Sequence, residues 1–156
     1  MDVGETFPHF VLQDEDGETL DSKMLEGIRY VIYFYPKDGT SGCTKEALQF
    51  TDAFAKFMFR NIPVFGVSRD SVATHRKFKD NNALKIKLLS DPDHSLTEAV
   101  GAWGKKMMYG KEVEGVIRST FIVGKDGKVE AAWTKVKVDG HADAVLQKAI
   151  SLFKES

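Results

Sequence analysis

The segment Arg29-Tyr30-Val31-Ile32-Tyr33-Phe34-Tyr35 constrains this chain more than any other. It is β-branched or aromatic at every position after the arginine, with no polar residue to face water. A strand of that kind is buried on both faces. It needs strands beside it and a layer above and below it. Pro36 lacks an N–H and ends the strand. A second segment, Ile62-Pro63-Val64-Phe65-Gly66-Val67-Ser68, reads the same way.

Between the two, apolar residues at Ala47, Phe50, Phe54, Phe57 and Met58 recur at helical spacing and predict a helix over about Cys43–Arg60. Asp70 or Ser71 is placed to cap a helix running through Asn81. Lys87–Ser90 is a short strand, and Asp91-Pro92-Asp93 opens a short helix through Val100. Two strands, Arg118–Val123 and Lys128–Val138, flank the turn Lys125-Asp126-Gly127. A helix over His141–Lys154 follows. At the start, His9–Gln13 and Glu18–Leu20 flank the turn Asp14–Gly17 as an N-terminal β-hairpin. The stretch 101–115 carries four glycines with little periodicity and reads as a loop with room for an irregular hairpin. The order ββ–β–α–β–α–β–α–β–β–α predicts an α/β fold, a mixed central sheet flanked by helices on both faces. At 156 residues, with no repeat or composition break, residues 1–156 read as a single domain, within the usual ~100–200 residues.

Charge says little about partners. The balance of 22 basic and 23 acidic residues leaves −1, so nothing global favours nucleic acid or an anionic membrane. The acidic start Met1–Thr6 lacks the features of a signal peptide, and the longest apolar run is far short of the ~20 residues of a membrane span. A cytoplasmic location is expected. The four histidines, His9, His75, His94 and His141, show no metal-binding spacing, and no phosphate-binding glycine loop occurs. No metal and no cofactor are expected.

The chain has one cysteine. That excludes an intrachain disulfide, CxxC chemistry and cysteine-rich zinc sites. Cys43 follows the buried strand, Pro36 and a Gly-Thr-Ser-Gly turn, and opens an amphipathic helix. The first N–H groups of a helix have no internal acceptor, and the macrodipole adds partial positive charge. Such a place favours an anionic thiolate. A buried cysteine acting as a small hydrophobe is the alternative, but Gly42, Thr44 and Lys45 around it are not apolar.

The string Phe34-Tyr35-Pro36-Lys37-Asp38-Gly39-Thr40-Ser41-Gly42-Cys43-Thr44-Lys45-Glu46-Ala47 resembles the active-site segment of peroxiredoxins. It fits Pro-x-x-x-Thr-x-x-Cys, with Glu46 three residues after the cysteine. Its wording is similar to the bacterioferritin comigratory protein, or peroxiredoxin Q, subfamily. The blocks Gly66–Ser71, Leu88–Asp93, Arg118–Phe121 and Val136–His141 resemble that subfamily too, in order. The resemblance covers essentially the whole chain. It implies a thioredoxin-like fold of the peroxiredoxin type and reduction of hydrogen peroxide and organic hydroperoxides by a thiol.

On that resemblance, Cys43 is the nucleophile and becomes a sulfenic acid. Thr40, the backbone N–H groups around Gly42, and Arg118 are donors to the peroxide, and Pro36 shields the site. Glu46 orients Arg118. Thr40 is also an ordinary helix cap, and Glu46 suits a first helical turn whatever its function. Many members carry a second cysteine five residues after the first. Here Leu48 stands at that position, and 71–83 contains no cysteine either. The implied cycle therefore needs an external thiol reductant: thioredoxin, a glutaredoxin-like protein, glutathione or another small thiol. The chain is expected to be a monomer or homodimer. A peroxide sensor or thiol-based regulatory module without efficient turnover is the alternative.

Overall fold

Residues 1–155 are described by a computed structural model. The two apolar segments form β3 (Tyr30–Phe34) and β4 (Val64–Ser68), and every residue in both is buried. They run parallel, with Val31 opposite Val64 and Tyr33 opposite Gly66. Gly66 is a packing requirement: a Cβ there would fall 2.9 Å from the Tyr33 ring. The space it leaves lets Tyr33 stack on Phe50 at 4.6 Å.

The N-terminal hairpin is β1 (Val11–Asp14) with β2 (Thr19–Asp21), followed by a 3₁₀ turn, Ser22–Leu25. The remaining strands are β5 (Lys87–Ser90), β6 (Trp103–Met108), β7 (Lys111–Val116), β8 (Ser119–Val123) and β9 (Val129–Trp133). The helices are α1 (Ser41–Met58), α2 (Val72–Asn82), α3 (Ser95–Ala99) and α4 (His141–Glu155). Seven strands form one sheet in the order β2-β1-β5-β4-β3-β8-β9. The three central strands β5, β4 and β3 are parallel, and antiparallel strands finish both sides. This is the mixed sheet that the element order predicts, in the thioredoxin-like form that the resemblance implies.

The two faces are covered differently. On one, Tyr33, Tyr35 and Ile122 pack with Phe50 and Phe57 of α1, Phe78 of α2 and Val145 and Ala149 of α4. On the other, Ile32, Phe34 and Phe121 meet Phe7 and Phe10 of the N-terminal segment, Leu96 of α3 and Val116 at the root of β7. Helices cover one face, while a short helix, an extended segment and a hairpin root cover the other.

Capping explains two helix starts. The Ser71 hydroxyl accepts the Thr74 N–H at 3.2 Å, so Ser71 rather than Asp70 caps α2. The buried Asp91 carboxylate accepts the Thr97 N–H at 2.9 Å and the Thr97 hydroxyl at 2.7 Å, which delays α3 to Ser95.

Two expectations need correction. Residues 101–115 are not a loop: β6 and β7 form a regular antiparallel hairpin from Trp103↔Val116 to Met108↔Lys111. Tyr109 and Gly110 turn it with φ of 52° and 78°, the left-handed pair a two-residue hairpin turn needs. The strand expected over Lys128–Val138 stops at Trp133. Lys135 has φ of 50°, which turns the chain away, and the Val136 N–H bonds instead to the Arg118 carbonyl at 3.0 Å.

Candidate active site

Strand β3 delivers Pro36 and the next residues to the start of α1, and β7 runs into β8 through Arg118 beside it. Because β8 pairs antiparallel with β3, with Ser119 opposite Phe34, Arg118 lies at the same end of the sheet as the Pro36–Thr40 loop. Residues 75 apart in sequence thus meet: Arg118 Nη2 stands 3.4 Å from Cys43 Sγ. Its other arm, Nη1, donates to Glu46 Oε1 at 2.5 Å. Cys43 and Glu46 are three apart on α1 and so share a helix face. One guanidinium fork spans both and is fixed by them.

Cys43 is buried, 2% exposed. Helix α1 begins two residues before it, so Cys43 lies in the first turn rather than opening the helix. The first amide bonded back within this turn is that of Thr44, to the Thr40 carbonyl at 2.9 Å. Ser41, Gly42 and Cys43 therefore have no helical acceptor for their N–H groups. Thr40 is the N-cap residue, but its side chain makes no capping bond. Its hydroxyl donates instead to the Lys37 carbonyl at 2.8 Å, so toward the site Thr40 stands as an acceptor and not as the donor that the resemblance implies. The arrangement leaves the partial positive end of α1 beside the sulfur unspent. Gly42 lies beside the fork: a Cβ there would stand 3.5 Å from Arg118 Nη2, an ordinary contact. Pro36 is half-buried at the head of the loop, and Thr40 is exposed.

Two buried oxygens near the sulfur have no hydrogen-bond partner: Glu46 Oε2 and the Tyr33 hydroxyl. Burial raises Tyr33 well above the ordinary tyrosine value, and the nearby Glu46 and Cys43 charges raise it further. Tyr33 is therefore a neutral wall. Burial, and then the Arg118 charge, push the His141 imidazole down to about 4. His141 is thus uncharged, hydrogen-bonded through Nε2 to the Thr120 hydroxyl at 2.8 Å. Lys45, a possible source of positive potential, pairs with Asp139 at the surface.

Burial also pushes the Glu46 carboxyl up, to about 7, against the pull of Arg118. Its ordinary value is 4.5. Between the two, the unfolded chain has released this proton and the folded chain still holds it. Stability from this group is therefore full below the ordinary value and is lost as pH rises through about 7. Glu46→Gln, which does not titrate, is expected to gain on the parent between about pH 5 and about pH 8, by on the order of 10 °C in melting temperature. A melting difference that stays flat across that range would mean that Glu46 is ionised throughout.

A second cluster had no visible signal in the sequence. Asp38, in the loop before α1, meets His75 of α2: Oδ2 and Nδ1 are 2.5 Å apart and both side chains are buried. Asp70 lies with them, and its Oδ2 accepts the Asp38 N–H at 2.9 Å. The spacing of the histidines gives no hint of this, because the partners are carboxylates from separate elements.

The family model for the AhpC/TSA family matches residues 3–132. The chain belongs to that family. This peroxiredoxin is 41% identical over 146 residues to the putative peroxiredoxin bcp of Coxiella burnetii, covering 94% of this chain and 97% of the relative. It is also 41% identical over 147 residues to peroxiredoxin Bcp of Bacillus subtilis, covering 94% of each. Among solved structures it is similar to the bacterioferritin comigratory protein of Xanthomonas campestris, with 40% identity, 98% of each chain covered and a TM-score of 0.89. The likeness to the peroxiredoxin Q of Xylella fastidiosa has a TM-score of 0.92 at 36% identity, covering 97% of this chain and 96% of that one.

Proposed function

We propose that this peroxiredoxin is a thiol-dependent peroxidase in which Cys43 reduces hydrogen peroxide and organic hydroperoxides. The observation that carries the reading is the Arg118 fork. One arm lies on the sulfur and the other on the buried Glu46 carboxyl group, beside a helix start whose Gly42 and Cys43 N–H groups are uncapped. The Xanthomonas campestris relative is described through its alkyl peroxide reduction activity, which suits the same substrate class.

The step is a two-electron displacement. The Cys43 thiolate attacks one peroxide oxygen, an S–O bond forms and the O–O bond breaks. The leaving oxygen departs with the electron pair and takes a proton to become water or an alcohol, while the sulfur is left as sulfenic acid. Negative charge moves from sulfur to the leaving oxygen. Fixed donors aimed at both places lower the barrier more than mobile water does. Arg118 holds the thiolate and has N–H groups to spare for the peroxide, and the amides around Gly42 supply more. Thr40, its proton given to the Lys37 carbonyl, offers lone pairs to a peroxide O–H. Pro36 shields the sulfur and adds no competing donor. Glu46 holds the fork at its working angle.

With one cysteine, the sulfenic acid is reduced by an external thiol, from a thioredoxin, a glutaredoxin-like protein or a small molecule such as glutathione. The reading takes residues 1–156 as one domain working in the cytoplasm, as a monomer or homodimer. Among the described residues, no helix is long and apolar enough to cross a membrane. The 2% exposure of Cys43 also favours a second reading, a peroxide sensor that is oxidised once and re-reduced slowly, since a bulky thiol reaches such a sulfur poorly. Mass spectrometry of Cys43 after one equivalent of peroxide, and then after each candidate reductant, separates them. Turnover predicts one added oxygen that a donor removes within the catalytic cycle time. Oxidation that donors reverse only slowly, well outside that time, favours the sensor, and no oxidation overturns both.

A further inference from the structure

The stretch 36–40 carries Pro36 and Thr40, yet only one of its residues, Asp38, is buried. Lys37, Gly39 and Thr40 are exposed, and Gly39 turns the chain with φ of 78°. The position of such a short exposed segment depends on the bonds that reach inward from it. Its inward attachment is the set of bonds made by Asp38. Oδ1 accepts the Tyr35 hydroxyl at 2.5 Å, Oδ2 meets His75 Nδ1 at 2.5 Å, and the Asp38 N–H donates to Asp70 Oδ2 at 2.9 Å. Each partner is tied in turn. Asp70 Oδ2 accepts the Ser68 hydroxyl at 2.6 Å, and His75 Nε2 reaches the Leu89 carbonyl of β5 at 3.0 Å.

The proton positions follow from the partners. A carbonyl only accepts, so His75 Nε2 carries a hydrogen. Tyr35 donates to Oδ1. A further proton lies on the line between Nδ1 and Oδ2, on one atom or the other. Burying such a pair costs desolvation that apolar residues would avoid, so it is weak as a device for stability. Its geometry is what apolar residues cannot supply: a fixed distance and angle between a loop and a helix.

Resting on the peroxidase reading, we propose that Asp38 and His75 are positioning residues for the reaction at Cys43. The pair clamps the Pro36–Thr40 loop to α2 and β5, and so fixes where Pro36 and Thr40 stand when peroxide arrives. Neither residue touches the sulfur. The effect is exerted on the loop, while the Arg118 fork and the helix start act on the thiolate independently.

Two rates test this on the intact protein: the second-order reaction of Cys43 with hydrogen peroxide, and its alkylation by iodoacetamide, which reads the thiolate without the peroxide donors. His75→Phe keeps the ring volume and removes the clamp. It is expected to lose roughly 10²-fold in the peroxide rate, the scale of an ångström of misplacement, with alkylation nearly unchanged. Asp38→Asn keeps the contacts in another form: its NH₂ donates to Nδ1 and its carbonyl accepts from Tyr35. It is expected to stay near the parent rate. A folded His75→Phe variant with the parental peroxide rate overturns the proposal. So does an equal fall in both rates, or an Asp38→Asn loss as large as that of His75→Phe, since charge rather than position would then matter. Where His75→Phe does not fold, Asp38→Ala removes the clamp from the loop side: a peroxide rate that falls alone supports the proposal, and a parental rate or an equal fall in both overturns it. A wild type that reacts with peroxide no faster than a free thiol overturns the peroxidase reading and this one with it. A fast wild type beside an equally fast His75→Phe overturns this one alone.

Discussion

Cys43→Ser is expected to abolish peroxide consumption. The chain has one thiol, and no other side chain in it can take up an oxygen in the same two-electron step and be restored by a thiol. Serine fills nearly the same space, so Arg118 keeps its bond to Glu46 and the fold stays intact. A serine hydroxyl is far too weakly acidic to be an anion under the influence of one guanidinium and a helix start, and it is a poor nucleophile without a base. Loss of peroxide from solution, followed with excess reductant, reads the result directly. Serine protein that consumes peroxide at the wild-type rate would end the case for Cys43.

Arg118→Ala carries the second largest effect. It removes the cation 3.4 Å from the sulfur and the donors offered to the peroxide together. Loss of a single well-aimed donor to developing charge costs about 10²–10³-fold, so a fall of at least that size in the peroxide rate is expected. Glu46 keeps its place on α1 but loses its partner at 2.5 Å, and a carboxyl so buried then holds its proton more firmly. Arg118→Lys restores charge without the fork. It is expected to recover alkylation by iodoacetamide better than it recovers peroxide reduction, because a point charge stabilises the thiolate but cannot bridge two sites in one plane. Equal recovery of both would reduce Arg118 to a source of positive potential.

Much of the fold was legible because burial leaves a compositional trace. The strands β3 and β4 sit under cover on both faces, and Tyr30–Phe34 and Val64–Ser68 read as continuous apolar runs for that reason. The hairpin β6–β7 was not legible as regular structure because only Val116 of its two strands is buried, so apolar periodicity is weak. The end of β9 failed for a different reason. Val136 and Val138 keep the look of a strand, but the left-handed Lys135 redirects the backbone, and no residue preference announces that.

The site divides in the same way. Cys43 stands out in the sequence because a helix start has its own electrostatics, whereas Thr40 and Gly42 enter as candidates only through the family resemblance. The contact of Arg118 with Glu46 followed only from family wording, and its geometry needed the sheet. Asp38 and His75 were beyond reach: an aspartate in a turn and a histidine on a helix are ordinary taken singly, and only the fold sets them 2.5 Å apart.

The antiparallel docking of β8 on β3 has a consequence for the life of the chain before it is finished. Cys43 and Arg118 are 75 residues apart and meet only when that pairing forms. Until the ribosome has delivered β8, the emerging polypeptide holds this thiol without Arg118 beside it. On the proposed mechanism, the Arg118 fork is complete only once β8 is in place. The speed at which the thiol reacts is then expected to report whether β8 has docked on β3.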